Sequence, residues 1–116
     1  METLFEHDIT GSIGTKKYQC TIRWRGGEFF MDEPESVGGG GKAPDPFSTL
    51  LASLAGCTLS TLRMYIDRKG WDIPEIGIAL NIKQTATVSE ISRKITFVNA
   101  VTEEQKAKLL AIAEKC

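Results

Sequence analysis

Pro44-Asp45-Pro46-Phe47-Ser48-Thr49-Leu50-Leu51-Ala52-Ser53-Leu54-Ala55-Gly56-Cys57-Thr58-Leu59-Ser60 is the stretch on which the reading of this chain turns. Asp45 suits a helix N-cap, because its carboxylate accepts an orphan first-turn N–H, and Pro46 suits the first helical position. From Pro46 to Leu62 no side chain is ionised. Phe47, Leu50, Leu51, Leu54, Thr58, Leu62 and Tyr65 recur at three- and four-residue steps and form one stripe. The other side is Ala, Ser, Gly and Thr, small enough for a second backbone to approach closely. Arg63, Asp67, Arg68 and Lys69 carry the helix into solvent, and Gly70 stops it. Near its middle sits one thiol, Cys57. In such a place a cysteine is either inert packing or a sheltered nucleophile.

The rest of the composition narrows the choice. A chain of 116 residues makes one domain, 1–116, with a single modest core. Its 14 basic and 15 acidic side chains nearly cancel, so no basic face advertises nucleic acid or an anionic membrane. Met1–Glu6 lacks the basic and apolar regions of a signal peptide. The uncharged helix is slightly short for a bilayer, and Ser53, Gly56, Thr58, Ser60 and Thr61 dilute it, so it reads as a core helix. Cys20, Cys57 and Cys116 form no closed disulfide framework, and with His7 the only histidine they match no zinc pattern. A reducing, cytoplasmic setting is expected, with no metal or organic cofactor.

Antiparallel sheet is expected before the helix. Gly11-Ser12-Ile13-Gly14 reads as a turn between strands near Leu4–Thr10 and Lys17–Trp24, with Tyr18, Cys20, Ile22 and Trp24 sharing a face. Arg25-Gly26-Gly27 reverses the chain into Glu28–Met31, and Cys20 fits as a half-buried strand residue. Asp32–Lys42, with Gly38-Gly39-Gly40-Gly41, reads as a mobile loop. It lacks the G-x-x-x-x-G-K-[ST] pattern of a phosphate cradle, since Ala43 follows Lys42. Beyond the helix, Ile76, Ile78, Leu80 and Ile82 alternate in one strand, and Ile91, Ile95 and Phe97 share a face of a second near Glu90–Asn99. Thr102 and Gln105 form a capping box opening a last helix that still runs at Cys116.

Strands, helix, strands, helix make an α+β domain. So short a chain offers few layers to cover an uncharged central helix, and a homodimer sharing two such helices in one core answers that need. Cys57 and Cys116 lie on the two helices. If those are neighbours, the thiols come within the Cα separation of about 4.4–6.8 Å that a disulfide requires.

Asp32-Glu33-Pro34-Glu35-Ser36-Val37-Gly38-Gly39, Pro44-x-Pro46, Leu50-Leu51-Ala52-x-Leu54-Ala55-Gly56-Cys57-Thr58 and Thr61-Leu62-Arg63-Met64-Tyr65 resemble the OsmC/Ohr family of thiol-dependent hydroperoxide reductases. Ala113-Glu114-Lys115-Cys116 resembles that family's second cysteine segment, so the similarity spans nearly the whole chain. The resemblance implies an intertwined homodimer, with antiparallel sheets wrapped around long central helices and active sites at the subunit interface. It implies that Cys57 is the peroxidatic cysteine and Cys116 the resolving one, with an external dithiol or lipoyl-type reductant closing the cycle. Relatives continue past this second cysteine, so the chain is expected to be shorter at its C-terminal end than the family.

A free thiol with a pKa of about 8.5 is only about 3% ionised near pH 7. Lowering that value to roughly 6 raises the thiolate fraction about thirtyfold but costs roughly tenfold in nucleophilicity. A fast peroxidase therefore needs a cation at the leaving oxygen, and arginine suits this. The family pairs its cysteine with an arginine of the N-terminal sheet, for which Arg23 is the best match and Arg25 the second. Phe47, Phe29 and Leu50 are candidates for an apolar peroxide pocket. The family's glutamate directly follows the proline matching Pro46, and here Phe47 stands in that place, with Asp45 and Glu33 the available substitutes. That departure supports a rival reading, a non-catalytic dimer binding a small apolar ligand or having a weaker redox activity.

Overall fold

The computed structural model describes residues 1–116. The chain divides into two compact units, Met1–Leu50 and Leu51–Cys116. The first holds a three-stranded antiparallel sheet of β1 (Thr10–Ile13), β2 (Cys20–Trp24) and β3 (Gly27–Met31), in that order. Register puts Ile13, Cys20, Ile22, Trp24, Phe29 and Met31 on one face, and Thr10, Ser12, Thr21, Arg23, Glu28 and Phe30 on the other. Arg25-Gly26 turns the β2–β3 hairpin as expected, and Cys20 is half-buried.

The start of the chain departs from the sequence reading. Residues Gly11–Ile13 lie inside β1 rather than in a turn, and no strand covers Leu4–Ile9. Gly11 is there because it pairs with Ile22, whose side chain already lies 3.2 Å from where a Cβ would stand. A glycine inside a strand often marks a place where a neighbour approaches closely. The reversal comes later, and Tyr18 is in it rather than in β2.

The glycine-rich segment is also more ordered than its composition suggests. Asp32, 2% exposed, accepts backbone N–H bonds through Oδ1 from Glu33 (2.8 Å), Tyr18 (3.2 Å) and Gly40 (3.3 Å), and through Oδ2 from Lys42 (3.2 Å). The turn Glu35–Val37 and the bonds Gly39 N–H to Pro34 O and Gly41 N–H to Glu33 O, both 3.0 Å, complete the wrap. Gly39 passes so close to the Glu33 carbonyl that any Cβ would collide with it. Burial by itself raises the Asp32 carboxyl, but the four N–H donors outweigh it and hold the group below its ordinary value of 3.8.

α1 (Pro46–Lys69) has the bounds its caps dictate. Asp45 accepts from Phe47 N–H (3.2 Å) and from the Ser48 hydroxyl. At the far end Gly70 takes φ +70°, with Trp71 N–H bonding to Ile66 O (3.2 Å) and Gly70 N–H to Asp67 O (3.1 Å), a complete Schellman stop. β4 (Ile76–Gln84) and β5 (Ser89–Phe97) form an antiparallel hairpin, and α2 (Glu103–Ala113) opens on the expected capping box, each Thr102–Gln105 bond being 3.1 Å. The helix stops at Ala113, and its end tightens through Lys115 N–H to Ile112 O and Cys116 N–H to Ala113 O. Cys116 therefore lies in the turn after α2, not within it.

The core of the second unit is small. Leu62, Ile66, Ile73, Leu109 and Ala113 are its wholly buried apolar residues, with Ile76, Ile95, Phe97 and Ile112 packed against them. α1 contributes only Thr58, Leu62 and Ile66 to the buried set, at strict four-residue steps. The expected stripe is thus core in its second half only. Phe47 and Leu50, at its start, are 50% and 52% exposed.

Leu62→Ala should cost about 2–5 kcal/mol in chemical denaturation, since the cavity opens where α1, α2 and the hairpin face meet. The Asp32 wrap predicts a pH effect of definite sign. Its stabilisation is complete above the unfolded carboxyl value and is lost as pH falls through the lower, folded one. Limited proteolysis should therefore cut residues 33–42 of Asp32→Ala readily at neutral pH, and of the wild type only at pH below 3.8. Equal resistance of the two proteins at pH 7 contradicts this account.

Candidate active site

Successive helix residues point about 100° apart, so the residue before a buried one faces a different side. Thr58, Leu62 and Ile66 turn into the core of the second unit, whereas Leu50, Ser53, Cys57, Ser60 and Met64 lie along the opposite side of α1 and are exposed. That exposed stripe carries no charge. Cys57 is a free, exposed thiol at its centre.

Cys116 is also free and exposed. Leu109 and Ala113 of α2, the helix that leads to it, share one buried cluster with Leu62 and Ile66 of α1. Cys116 follows Ala113, the last residue of α2, by three residues and lies beyond the helix.

An unforeseen residue reaches the core side of α1 from β5, at Thr58. Ile76, Ile78, Leu80 and Ile82 pair with Phe97, Ile95, Arg93 and Ile91, so Arg93 stands in the middle of an otherwise apolar hairpin face. Its Nη1 donates to Thr58 Oγ1 at 3.1 Å, and Thr58 is wholly buried. Ile95 and Phe97, on the same hairpin face as Arg93, pack against the buried cluster that includes Leu62 and Ile66. The ion pairs of the chain are Arg23–Glu28 and Arg63–Asp67, so the half-buried Arg93 has no carboxylate partner. The alternation Ile91, Arg93, Ile95, Phe97 held the signal, a cation at a core-facing position.

The remaining candidates lie as follows. Arg23, on β2, ion-pairs with Glu28 at 3.4 Å and donates to Ser12 Oγ at 3.4 Å on the polar face of the first sheet. Phe29 is on the opposite, apolar face, so one chain's sheet does not present both to the same side. Arg25 occupies the hairpin turn beside Trp24. Phe47 is exposed on the first turn of α1, where the expected carboxylate is absent. Asp45, a proposed substitute, is held below its ordinary value of 3.8 by the Ser48 hydroxyl and the Phe47 N–H, and so is committed to capping. Glu33 donates its backbone N–H to Asp32, and its carbonyl accepts from Gly41 N–H. No cluster of His, Cys, Asp and Glu has the geometry to hold a metal ion.

The fold and the exposed mid-helix thiol define an α+β protein of the OsmC/Ohr type. An osmotic stress induced and detoxification response protein from Psychrobacter arcticus superposes with a TM-score of 0.79 at 19% identity, over 100% of this chain and 86% of that one. An organic hydroperoxide resistance protein from Elizabethkingia anophelis gives 0.70 at 21% identity, over 99% and 85%. An OsmC organic hydroperoxide resistance protein from Legionella pneumophila gives 0.67 at 15%, over 98% and 85%. At these identities the likeness is one of fold. The OsmC-like protein family profile matches residues 39–116, and the chain belongs to that family. No curated protein matches the sequence.

Exposure predicts a reactivity order for the thiols. Under native conditions Cys57 and Cys116 should be labelled by iodoacetamide before the half-buried Cys20, as read by peptide mass spectrometry. Preferential labelling of Cys20 contradicts the placement.

Proposed function

We propose that the protein is a thiol-dependent hydroperoxide reductase, acting in the cytoplasm as a homodimer. The observation that carries this reading is the free, exposed Cys57 at the centre of an uncharged helix stripe in a chain of the OsmC-like family. The Cys57 thiolate attacks one peroxide oxygen, the O–O bond breaks, and the departing alkoxide takes a proton to leave as alcohol. Cys57 is then a sulfenic acid. The Cys116 thiol condenses with it, water leaves, and a disulfide forms, which an external dithiol or lipoyl-type reductant returns to two thiols. The organic hydroperoxide class is suggested by the names of the Elizabethkingia and Legionella structures.

Arg23 is the proposed activator in this scheme, with Phe29, Phe47 and Leu50 the proposed substrate contacts. The Arg23–Glu28 pair does not preclude that role. Both side chains are about half exposed, and such pairs contribute only about 0–1 kcal/mol, so the guanidinium can change partner at little cost. A homodimer supplies what one chain lacks, a cover for the exposed stripe from Leu50 to Met64. One observation favours the rival reading of a non-catalytic dimer that takes a small apolar ligand. Phe47 is exposed where the carboxylate is expected, and Asp45 is occupied by the helix cap.

Stopped-flow mixing with cumene hydroperoxide and a dithiol decides between them. The wild type should turn over, Cys57→Ser should lose at least about a thousandfold, and Cys116→Ser should keep its first turnover and accumulate a dimedone-reactive sulfenic acid. No turnover in the wild type, or full turnover in Cys57→Ser, favours the non-catalytic reading. Light scattering should give a dimer mass at micromolar concentration, and a stable monomer would remove the homodimer.

A further inference from the structure

We propose that the first unit holds a binding site of its own, a cleft between residues 4–9 and the β2–β3 turn that takes a small organic carboxylate with an apolar or aromatic body. The inference is independent of the Cys57 chemistry. The cleft encloses about 370 Å³, and the residues around it all belong to Met1–Leu50. That is the small end of the roughly 300–1,000 Å³ usual for small-molecule sites. Leu4, Phe5, Ile9 and Trp24 form its walls, and Glu6, His7 and Arg25 bring polar groups to it.

Core packing does not account for these apolar side chains. The wholly buried apolar residues of the chain all belong to the second unit, and Phe5, Ile9 and Trp24 stay about half exposed. Their placement is nonetheless definite. Thr10 pairs with Arg23, so Ile9, one residue back, falls beside Trp24. The Trp24 indole folds over the turn, where a Cβ on Gly26 would collide with its six-membered ring. Glycine at that position lets the ring seat on backbone while it lines the cleft. A ring held in this way offers apolar area to a ligand at little cost in ordering.

Arg25 follows Trp24 into the same turn and sets the charge of the occupant. The ion pairs of the chain are Arg23–Glu28 and Arg63–Asp67, so Arg25 lines the cleft with no carboxylate of its own. Its planar fork of N–H donors suits a carboxylate, which it can hold by two parallel bonds. His7 adds an imidazole N–H at the same cleft. Glu6 is the opposing charge, and it too is outside any ion pair. It stands on a segment with no ladder to hold it, whereas Arg25 is pinned between two paired strands. Glu6 can therefore turn to solvent when one anion enters, but it disfavours a second negative group. A cation is the poorer occupant, because the guanidinium keeps its charge and cannot relieve the repulsion.

The test titrates the native full-length chain with three probes of one shape, 3-phenylpropionate, 3-phenylpropan-1-ol and 3-phenylpropylamine. The indole N–H signals of Trp24 and Trp71 are followed by NMR, with Trp24→Phe assigning them. Trp71 packs on the core of the second unit and on Tyr65, so it is the internal control. The acid should move the Trp24 signal and not that of Trp71. It should bind about threefold or more tighter than the alcohol, with the amine weakest, a comparison that requires no variant to fold. Arg25→Gln should remove the preference for acid over alcohol, Arg25→Lys should keep part of it, and Glu6→Gln should tighten the acid. An amine that binds tighter than the acid overturns the inference, as does an acid preference that survives Arg25→Gln. So does a shift of Trp71 in place of Trp24. No shift of Trp24 by any of the three, the result expected if a second copy of the chain covers this cleft, overturns it as well.

Discussion

The one-sided burial of α1 is the constraint from which the other features follow. Five wholly buried apolar side chains form the core of the second unit, and α1 supplies two of them, Leu62 and Ile66, with Thr58 beside them. A helix with no charge between Pro46 and Leu62 is thereby satisfied along one stripe and left uncovered along the other. Cys57 belongs to the uncovered stripe because it is one residue, and so about 100°, away from Thr58. Had the thiol been placed at position 58 or 62 it would be sealed in the core. Apolar surface left exposed on this scale is usually a surface meant to be covered.

Two buried or half-buried charges are handled in opposite ways. Asp32 is satisfied by four backbone N–H groups and needs no counter-charge, so its role is architectural, holding a glycine-rich loop that would otherwise stay disordered. Arg93 bonds to the Thr58 hydroxyl and to no carboxylate. The same distinction applies to Asp45, whose bonds to Ser48 and Phe47 tie it to the helix start. The α1 entry is thus built without a spare carboxylate, and Phe47 occupies the place where the family resemblance leads one to look for it.

Much of the fold was legible because its signals are local. Asp45-Pro46 and Gly70 bound α1, Thr102 and Gln105 open α2, and the alternation from Ile76 to Ile82 is a strand with one buried face. Each rests on a hydrogen bond or a side-chain direction set within a few residues. What misled was glycine. Gly11 reads as a turn and is a strand residue under Ile22, while the Gly38–Gly41 run reads as mobile and is wrapped around Asp32. In both cases the deciding contact comes from a distant part of the chain, Ile22 on a neighbouring strand or the N–H of Tyr18.

The same division runs through the site. By itself the sequence determined that one thiol sits mid-helix in an uncharged stretch, that a second lies near the chain's end, and that both belong to a family pattern. It could do so because helix phase, capping and motif spacing are short-range properties. Only the tertiary structure decided which side of α1 is core, and hence that Cys57 is exposed. It also decided that Arg23 and Phe29 lie on opposite faces of their sheet, and that Arg93 reaches Thr58 from thirty-five residues away. Those outcomes depend on strand register and on which helix packs against which hairpin, and no local stretch of residues encodes either.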